Sequence, residues 1–311
     1  MRTSVMRVLF MGSPEHSAWL MGYLLSRGFE ICAVVTQPDR PKSRGLRLRP
    51  TPVKEAALRA GLPLFAPTRL SLQALQHIRE RHRPDIGVIF SFGQILPPEV
   101  VESMLFLNLH LSLLPRWRGP APVEHTILAG DRETGVTIQR VVAEVDAGDV
   151  LASERIGLSG RETAGELRRR LTEIGASLLE RVLLERRFHG RLQVGKPTYA
   201  PKISRKHAAL VWAEPADVVD KKVRAFNPKP GAFCTAVIGS RRIEVKILYG
   251  EPVGGEIFGQ PGSVCCDRGK LLVCCGDGLF SVESLQPENR KVMDARAFIN
   301  GYIRQQEARF E

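Results

Sequence analysis

Asn108 and His110 stand two residues apart in Asn108-Leu109-His110-Leu111-Ser112-Leu113-Leu114-Pro115, directly after an apolar run. On an extended strand, residues i and i+2 share a face, so an amide and an imidazole enter one pocket, a layout suited to catalysis. The same pair also fits a turn-capping Asn beside a satisfied core His, and the two residues alone leave both readings open. A third polar group follows at Asp146, in Val145-Asp146-Ala147-Gly148-Asp149-Val150. Gly148 marks a tight turn there, so Asp146 is a carboxylate on a loop, a place where Asp also simply caps a turn.

The elements that must position these groups are readable from periodicity. Met104 to Leu107 reads as a short buried strand, and the Pro-rich stretch from Pro115 to Pro122 as a loop leaving its carboxyl end, the end at which open α/β sheets bind ligands. Upstream, strand-like Val5 to Met11, Ile31 to Thr36, Leu62 to Phe65 and Ile86 to Phe90 alternate with helical Ser17 to Ser26, Pro52 to Ala60 and Leu72 to Arg81. That alternation predicts a mostly parallel sheet covered on both faces. Downstream, Ala121 to Leu128 reads as a helix and Gly135 to Ile138 as a strand. Thr163 to Arg187 reads as a long amphipathic helix interrupted at Gly175. Residues 190–207, rich in Pro, Lys and Gly, read as a linker. Beyond it, short strand patterns at Arg241 to Tyr249, Gly262 to Cys266, Leu271 to Cys275 and Leu279 to Leu285 fit a small β-barrel.

The 311 residues suffice for two domains, and 43% hydrophobic residues for packed cores. Lys and Arg total 45 against 33 Asp and Glu, a net charge of +12 that favours a polyanionic partner. No apolar run reaches the roughly 18 to 20 residues of a membrane span. Met1 to Ser4 leads into a strand pattern with no cleavage signal, so a cytoplasmic protein is expected. Of six cysteines, four form the adjacent pairs Cys265-Cys266 and Cys274-Cys275, which lack zinc-ligand spacing; they read as reduced and structural, and no metal is expected. Gly12-Ser13-Pro14-Glu15-His16 lacks the later glycines of a dinucleotide fingerprint, and no P-loop or HExxH pattern occurs.

Asn108, His110 and Asp146 in this order, with Ser-Leu-Leu-Pro between, resemble the formyltransferase family that uses 10-formyltetrahydrofolate. The resemblance extends over nearly the whole chain, through Val8 to Pro14, Val34 to Pro41, Ser91 to Pro97, Asn108 to Val150, Tyr199 to Ile203 and Val223 to Phe233. It implies a Rossmann-like α/β formyltransferase domain over residues 1–189, the linker 190–207, and an OB-like β-barrel domain that binds tRNA over residues 208–311. The implied reaction is transfer of the formyl group of 10-formyltetrahydrofolate to the amino group of methionyl initiator tRNA, by a monomer. A formyltransferase acting on a nucleotide-linked amino sugar shares the catalytic triplet and is the alternative.

In that reading Asn108 and protonated His110 stabilise the tetrahedral oxyanion, one such donor being worth about 2.7 to 4 kcal/mol. Asp146 orients the imidazole and takes the proton lost by the amine. The resemblance places the folate against Phe92, Gly93, Gln94, Ile95 and Leu96, against Ser112, Leu113, Leu114 and Pro115 with a cis Leu114–Pro115 peptide, and against Val141, Val142, Ala143, Glu144 and Val145. Ser112 lacks the strand-to-helix elbow of a serine nucleophile and reads as structural. An irregular basic loop carrying Arg40, Lys42, Arg44, Arg47, Arg49 and Lys54 is the expected tRNA contact, with Lys221, Lys222, Arg224, Arg241 and Arg242 adding charge in the last third. His16 stands where the family usually has Phe, and Lys229 where its Asn-Pro-x-Pro-Gly motif usually has Trp.

Overall fold

A computed structural model describes residues 6–42, 47–304 and 306–311. The chain divides into two compact units. The first comprises Met1–Pro122, Glu133–Ile156 and Arg169–Pro201; the second comprises Val123–Arg132, Gly157–Arg168 and Lys202–Glu311.

The elements run in the order β1 (Arg7–Gly12), α1 (Glu15–Ser26), β2 (Glu30–Val35), β3 (Arg40–Lys42), β4 (Arg47–Arg49), α2 (Pro52–Arg59), β5 (Leu64–Phe65), α3 (Leu72–His82), β6 (Ile86–Phe90), α4 (Pro98–Ser103), β7 (Phe106–His110), α5 (Pro122–Ala129), β8 (Glu133–Arg140), β9 (Val150–Gly157) and α6 (Ala164–Leu184). The main sheet has the order β5-β2-β1-β6-β7-β8-β9. β5, β2, β1, β6 and β7 are parallel, and β8 runs antiparallel to β7. β6 is buried at every position, as are β1 and β2 after their first residue, because helices cover both faces of the sheet. Strand order reverses between β1 and β6, which opens a crevice at their carboxyl ends. α2 begins where the Thr51 hydroxyl accepts from the Lys54 amide, and α3 where the Ser71 hydroxyl accepts from the Ala74 amide.

Three local expectations need correction. The strand before the motif is Phe106–His110 rather than Met104 to Leu107, so Asn108 and His110 lie on the strand itself. α6 runs unbroken through Gly175, where a Cβ would lie 2.8 Å from Leu109 Cδ1; the glycine admits a core leucine and does not end the helix. Of the basic stretch after β2, expected as an irregular loop, the described residues pair as two short antiparallel strands, with Arg40 opposite Arg49, Pro41 opposite Leu48 and Lys42 opposite Arg47.

The second unit holds α7 (Ala216–Ala225), β10 (Ala232–Ile238), β11 (Arg241–Val253), β12 (Val264–Asp267), β13 (Lys270–Cys274), β14 (Leu279–Pro287), β15 (Met293–Asp294), α8 (Ala295–Phe298) and β16 (Ala308–Phe310). Its antiparallel sheet has the order β12-β13-β14-β11-β10-β16. Phe310 N donates to Gly262 O at 2.8 Å, and a bridge joins Ser263 to Arg309, which brings the two edges together as a nearly closed barrel. The alternating burial of β10 is that of a strand with one face on a core. Cys234, Cys274 and Cys275 are buried in this unit, and burial pushes the Cys275 thiol up to about 12.

Candidate active site

Asn108 and His110 project from one face of β7, and the antiparallel register sets Gln139 and Thr137 of β8 directly opposite them. The loop from β8 to β9 then returns Asp146 over this face. Its turn is tight: Arg140 N donates to Asp149 O at 2.9 Å, and a Cβ on Gly148 would lie 1.7 Å from Arg140 O. Asp146 itself has φ 52°, a left-handed conformation that a non-glycine residue adopts at a cost and that clusters at functional sites.

The Asp146 carboxylate is surrounded by donors. Oδ1 accepts from Gln139 Nε2 at 2.7 Å and from Asn108 Nδ2 at 3.2 Å, and Oδ2 accepts from the Gly119 amide at 2.8 Å. His110 Nδ1 lies 3.6 Å from Oδ2, close enough for charge attraction and too far for a hydrogen bond. Its other nitrogen, Nε2, lies 2.9 Å from the Trp117 carbonyl oxygen. A carbonyl only accepts, so Nε2 carries a proton. His110 is 5% exposed, and the Asp146 side chain beside it is only slightly more so.

Backbone strapping fixes the walls. Trp117 has φ 61°, and its amide donates to Thr198 Oγ1 at 2.9 Å. Arg118 N donates to Thr198 O and Ala200 N to Arg118 O, so residues 198–200 run alongside 116–118. Gly119 has φ 118°, and a Cβ there would meet Ala200 O at 2.7 Å. Gln193 Nε2 donates to the carbonyl oxygens of both Asp146 and Gly148 at 2.8 Å, while its Oε1 accepts from Arg118 Nε and Nη2.

The residues expected to face the folate divide by exposure. Phe92 and Leu96 belong to the apolar core under the site, and Val141 packs on that cluster, which brings the two segments together. Gln94 spends its side chain on Leu70 N and Pro67 O, and Gly93 has φ 81° with Gln37 where a Cβ would be. Ile95, Val142, Ala143, Glu144 and Val145 are exposed. Ser112 is buried and donates to Arg116 O at 2.6 Å; Leu113, Leu114 and Pro115 are partly buried, and the Leu114–Pro115 peptide is cis. His16 Nε2 pairs with Ser91 Oγ at 2.9 Å, and its ring meets Phe90 edge-on.

Of the basic residues, Arg40, Lys42, Arg47 and Arg49 are placed by the β3–β4 hairpin, Arg49 being exposed; Arg44 lies outside the described residues. Lys54 pairs with Asp39 at 2.8 Å. In the second unit Lys221, Lys222, Arg224 and Arg242 each pair with an acid, Asp217, Glu214, Asp220 and Glu311 respectively, so their charge is locally offset; Arg241 is exposed. Lys229 is exposed between two cis prolines, Pro228 and Pro230. No helix of the described residues is long and apolar enough to cross a membrane.

Sequence reasoning misses Gln139, Gly119, Gln193 and the Trp117 carbonyl. Gln139 carries no clear signal, because β8 (ETGVTIQR) is polar at several other positions as well.

An α/β sheet with an amide, an imidazole and a carboxylate at its carboxyl edge, together with a small antiparallel barrel, matches two family models, Formyl transferase over residues 6–183 and Formyl transferase, C-terminal domain, over residues 202–303. The chain belongs to the formyl transferase family. It is 38% identical over 303 residues to the methionyl-tRNA formyltransferase of Parvibaculum lavamentivorans, covering 96% of this chain and 97% of that protein. It is 39% identical over 308 residues to the enzyme of the same name from Neisseria gonorrhoeae, covering 95% and 97%. Among solved structures, HypX from Aquifex aeolicus in complex with tetrahydrofolic acid has the same fold at a TM-score of 0.65 and 21% identity; the match covers 96% of this chain and 48% of that one.

Proposed function

We propose that this protein transfers the formyl group of 10-formyltetrahydrofolate to the α-amino group of methionyl initiator tRNA, with residues 1–189 carrying the chemistry and 208–311 binding tRNA. The observation that carries the reading is the Asp146 carboxylate, gripped by Asn108, Gln139 and Gly119 beside the buried His110 ring.

An aminoacyl α-amino group has a reference pKa of about 7.7 to 8.0, so a neutral nucleophile is available at neutral pH. Its nitrogen bonds to the formyl carbon, and the carbonyl oxygen becomes an oxyanion. One Asn108 N–H points at Asp146 and the other is available to that oxygen; His110 Nδ1, which makes no hydrogen bond to Asp146, is placed to donate beside it. The attacking nitrogen must then lose a proton. Oδ1 of Asp146 already accepts from two donors, so Oδ2, with one, is the atom that takes it, directly or through water. The bond from the formyl carbon to N10 breaks as N10 gains a proton from His110, and no covalent enzyme intermediate forms.

The reading is supported by the curated relatives of this length and by the arrangement of the site. It is tested by supplying 10-formyltetrahydrofolate with methionyl initiator tRNA, with an amino-sugar nucleotide, or with no acceptor, and identifying the product by mass spectrometry. Formyl-methionyl-tRNA is expected. A formylated sugar, or formate alone, would overturn the substrate.

A further inference from the structure

We propose that Gln139 is a positioning residue that holds the Asp146 carboxylate and thereby frees Asn108 for the reacting carbonyl. The inference rests on the formyl-transfer reading above. Gln139 lies near the carboxyl end of β8, 1% exposed, next to apolar Ile138 and opposite Asn108 across the strand pair. A buried carboxamide in such a strand is costly unless it is bonded, and among the described residues its Oε1 finds no partner. What it does make is the shortest side-chain contact to Asp146, 2.7 Å from Nε2 to Oδ1, against 3.2 Å from Asn108. The amide orientation follows from chemistry, since the reverse would set Oε1 against a carboxylate oxygen.

Two donors therefore share one carboxylate oxygen, and they differ in what else they do. Asn108 is partly exposed, whereas Gln139 is buried. With Gln139 carrying the shorter bond to Oδ1, the Asn108 amide can adjust its longer bond and aim its second N–H at the formyl oxygen without releasing Asp146. Without Gln139, Asn108 alone restrains Oδ1, and its amide loses the freedom to adjust toward the formyl oxygen.

The test compares Gln139→Met, which removes the donor at similar volume, with Gln139→Glu, which is isosteric and sets an acceptor against Asp146. Gln139→Met should lower kcat about tenfold, the scale of one hydrogen bond to a charged group, with KM for both substrates within about twofold and no fall in thermal midpoint. Gln139→Glu should lose more than Gln139→Met. In ligand-free protein, the Gly119 amide resonance, which reports the position of Asp146 Oδ2, should shift in Gln139→Met. Wild-type kcat in Gln139→Met, or a Gln139→Glu enzyme nearer to wild type than Gln139→Met, would reject the proposal as a packing effect. If the wild type formylates no tRNA, the functional reading fails; the Gly119 resonance still decides on Gln139, and an unmoved one overturns it.

Discussion

The Trp117 carbonyl oxygen lies 2.9 Å from His110 Nε2 and fixes which ring nitrogen carries the structural proton. Trp117 can present that oxygen because its backbone is left-handed, at φ 61°, and is anchored through Thr198. The consequence is a division of labour on one ring: Nε2 is spent on the scaffold, and Nδ1, 3.6 Å from Asp146 Oδ2, is left for the proposed transfer.

Asn108→Ala removes one proposed oxyanion donor while leaving Gln139 and Gly119 on Asp146. The variant should bind folate nearly normally and transfer about 10² to 10³ times more slowly. Steady-state kinetics decides; near-wild-type turnover removes Asn108 from the oxyanion role.

Two glycines should respond in opposite directions to alanine. At Gly119, with φ 118° and Ala200 O where the Cβ would go, alanine should destabilise by about 1 to 3 kcal/mol. At Gly22, exposed within α1 with open space around it, alanine should stabilise by about 0.5 to 1 kcal/mol. Denaturant midpoints of the two variants test the pair.

Which parts of this arrangement a sequence can show depends on how local they are. Asn108 and His110 are readable because strand periodicity alone puts them on one face. Gln139 is not, since its role depends on the register that sets it opposite Asn108. Gly119 and the Trp117 carbonyl act through backbone atoms, which residue types do not advertise. Gly175 reads as an interruption because propensity disfavours glycine in helices, and packing against Leu109 overrides that preference. The β3–β4 hairpin reads as irregular because its prolines and glycine mask a pairing only three residues long on each side.

Acid stability should depend on Glu180. The Tyr23 hydroxyl, donating at 2.5 Å, holds this carboxyl below the usual range against partial burial, with help from Arg27. A lowered folded-state pKa stabilises the fold above the unfolded value, about 4.3, and that contribution is lost as pH falls through the folded value. Glu180→Gln should therefore be less stable than wild type at neutral pH, with the gap closing below about pH 4. Chemical denaturation across that range checks it; a gap independent of pH contradicts it.

Arg49→Ala should weaken tRNA binding and reduce the salt slope of log K by about one if the hairpin meets phosphates. Binding isotherms at several salt concentrations are the check. An unchanged slope removes the hairpin from the interface.

The Asp146 carboxylate is the group on which formyl transfer to methionyl-tRNA should depend most. Asparagine at 146 would set an NH2 either against the Gly119 amide or against the Asn108 and Gln139 donors, and would take no proton. The direct measurement is single-turnover formylation of saturating methionyl initiator tRNA by wild type and Asp146→Asn. Formyl-methionyl-tRNA should form with the wild type, at a rate about 10² to 10⁴ times lower in the variant, with tRNA affinity unchanged. A variant within about tenfold of wild type, or a wild type that leaves the tRNA unformylated, would contradict that role.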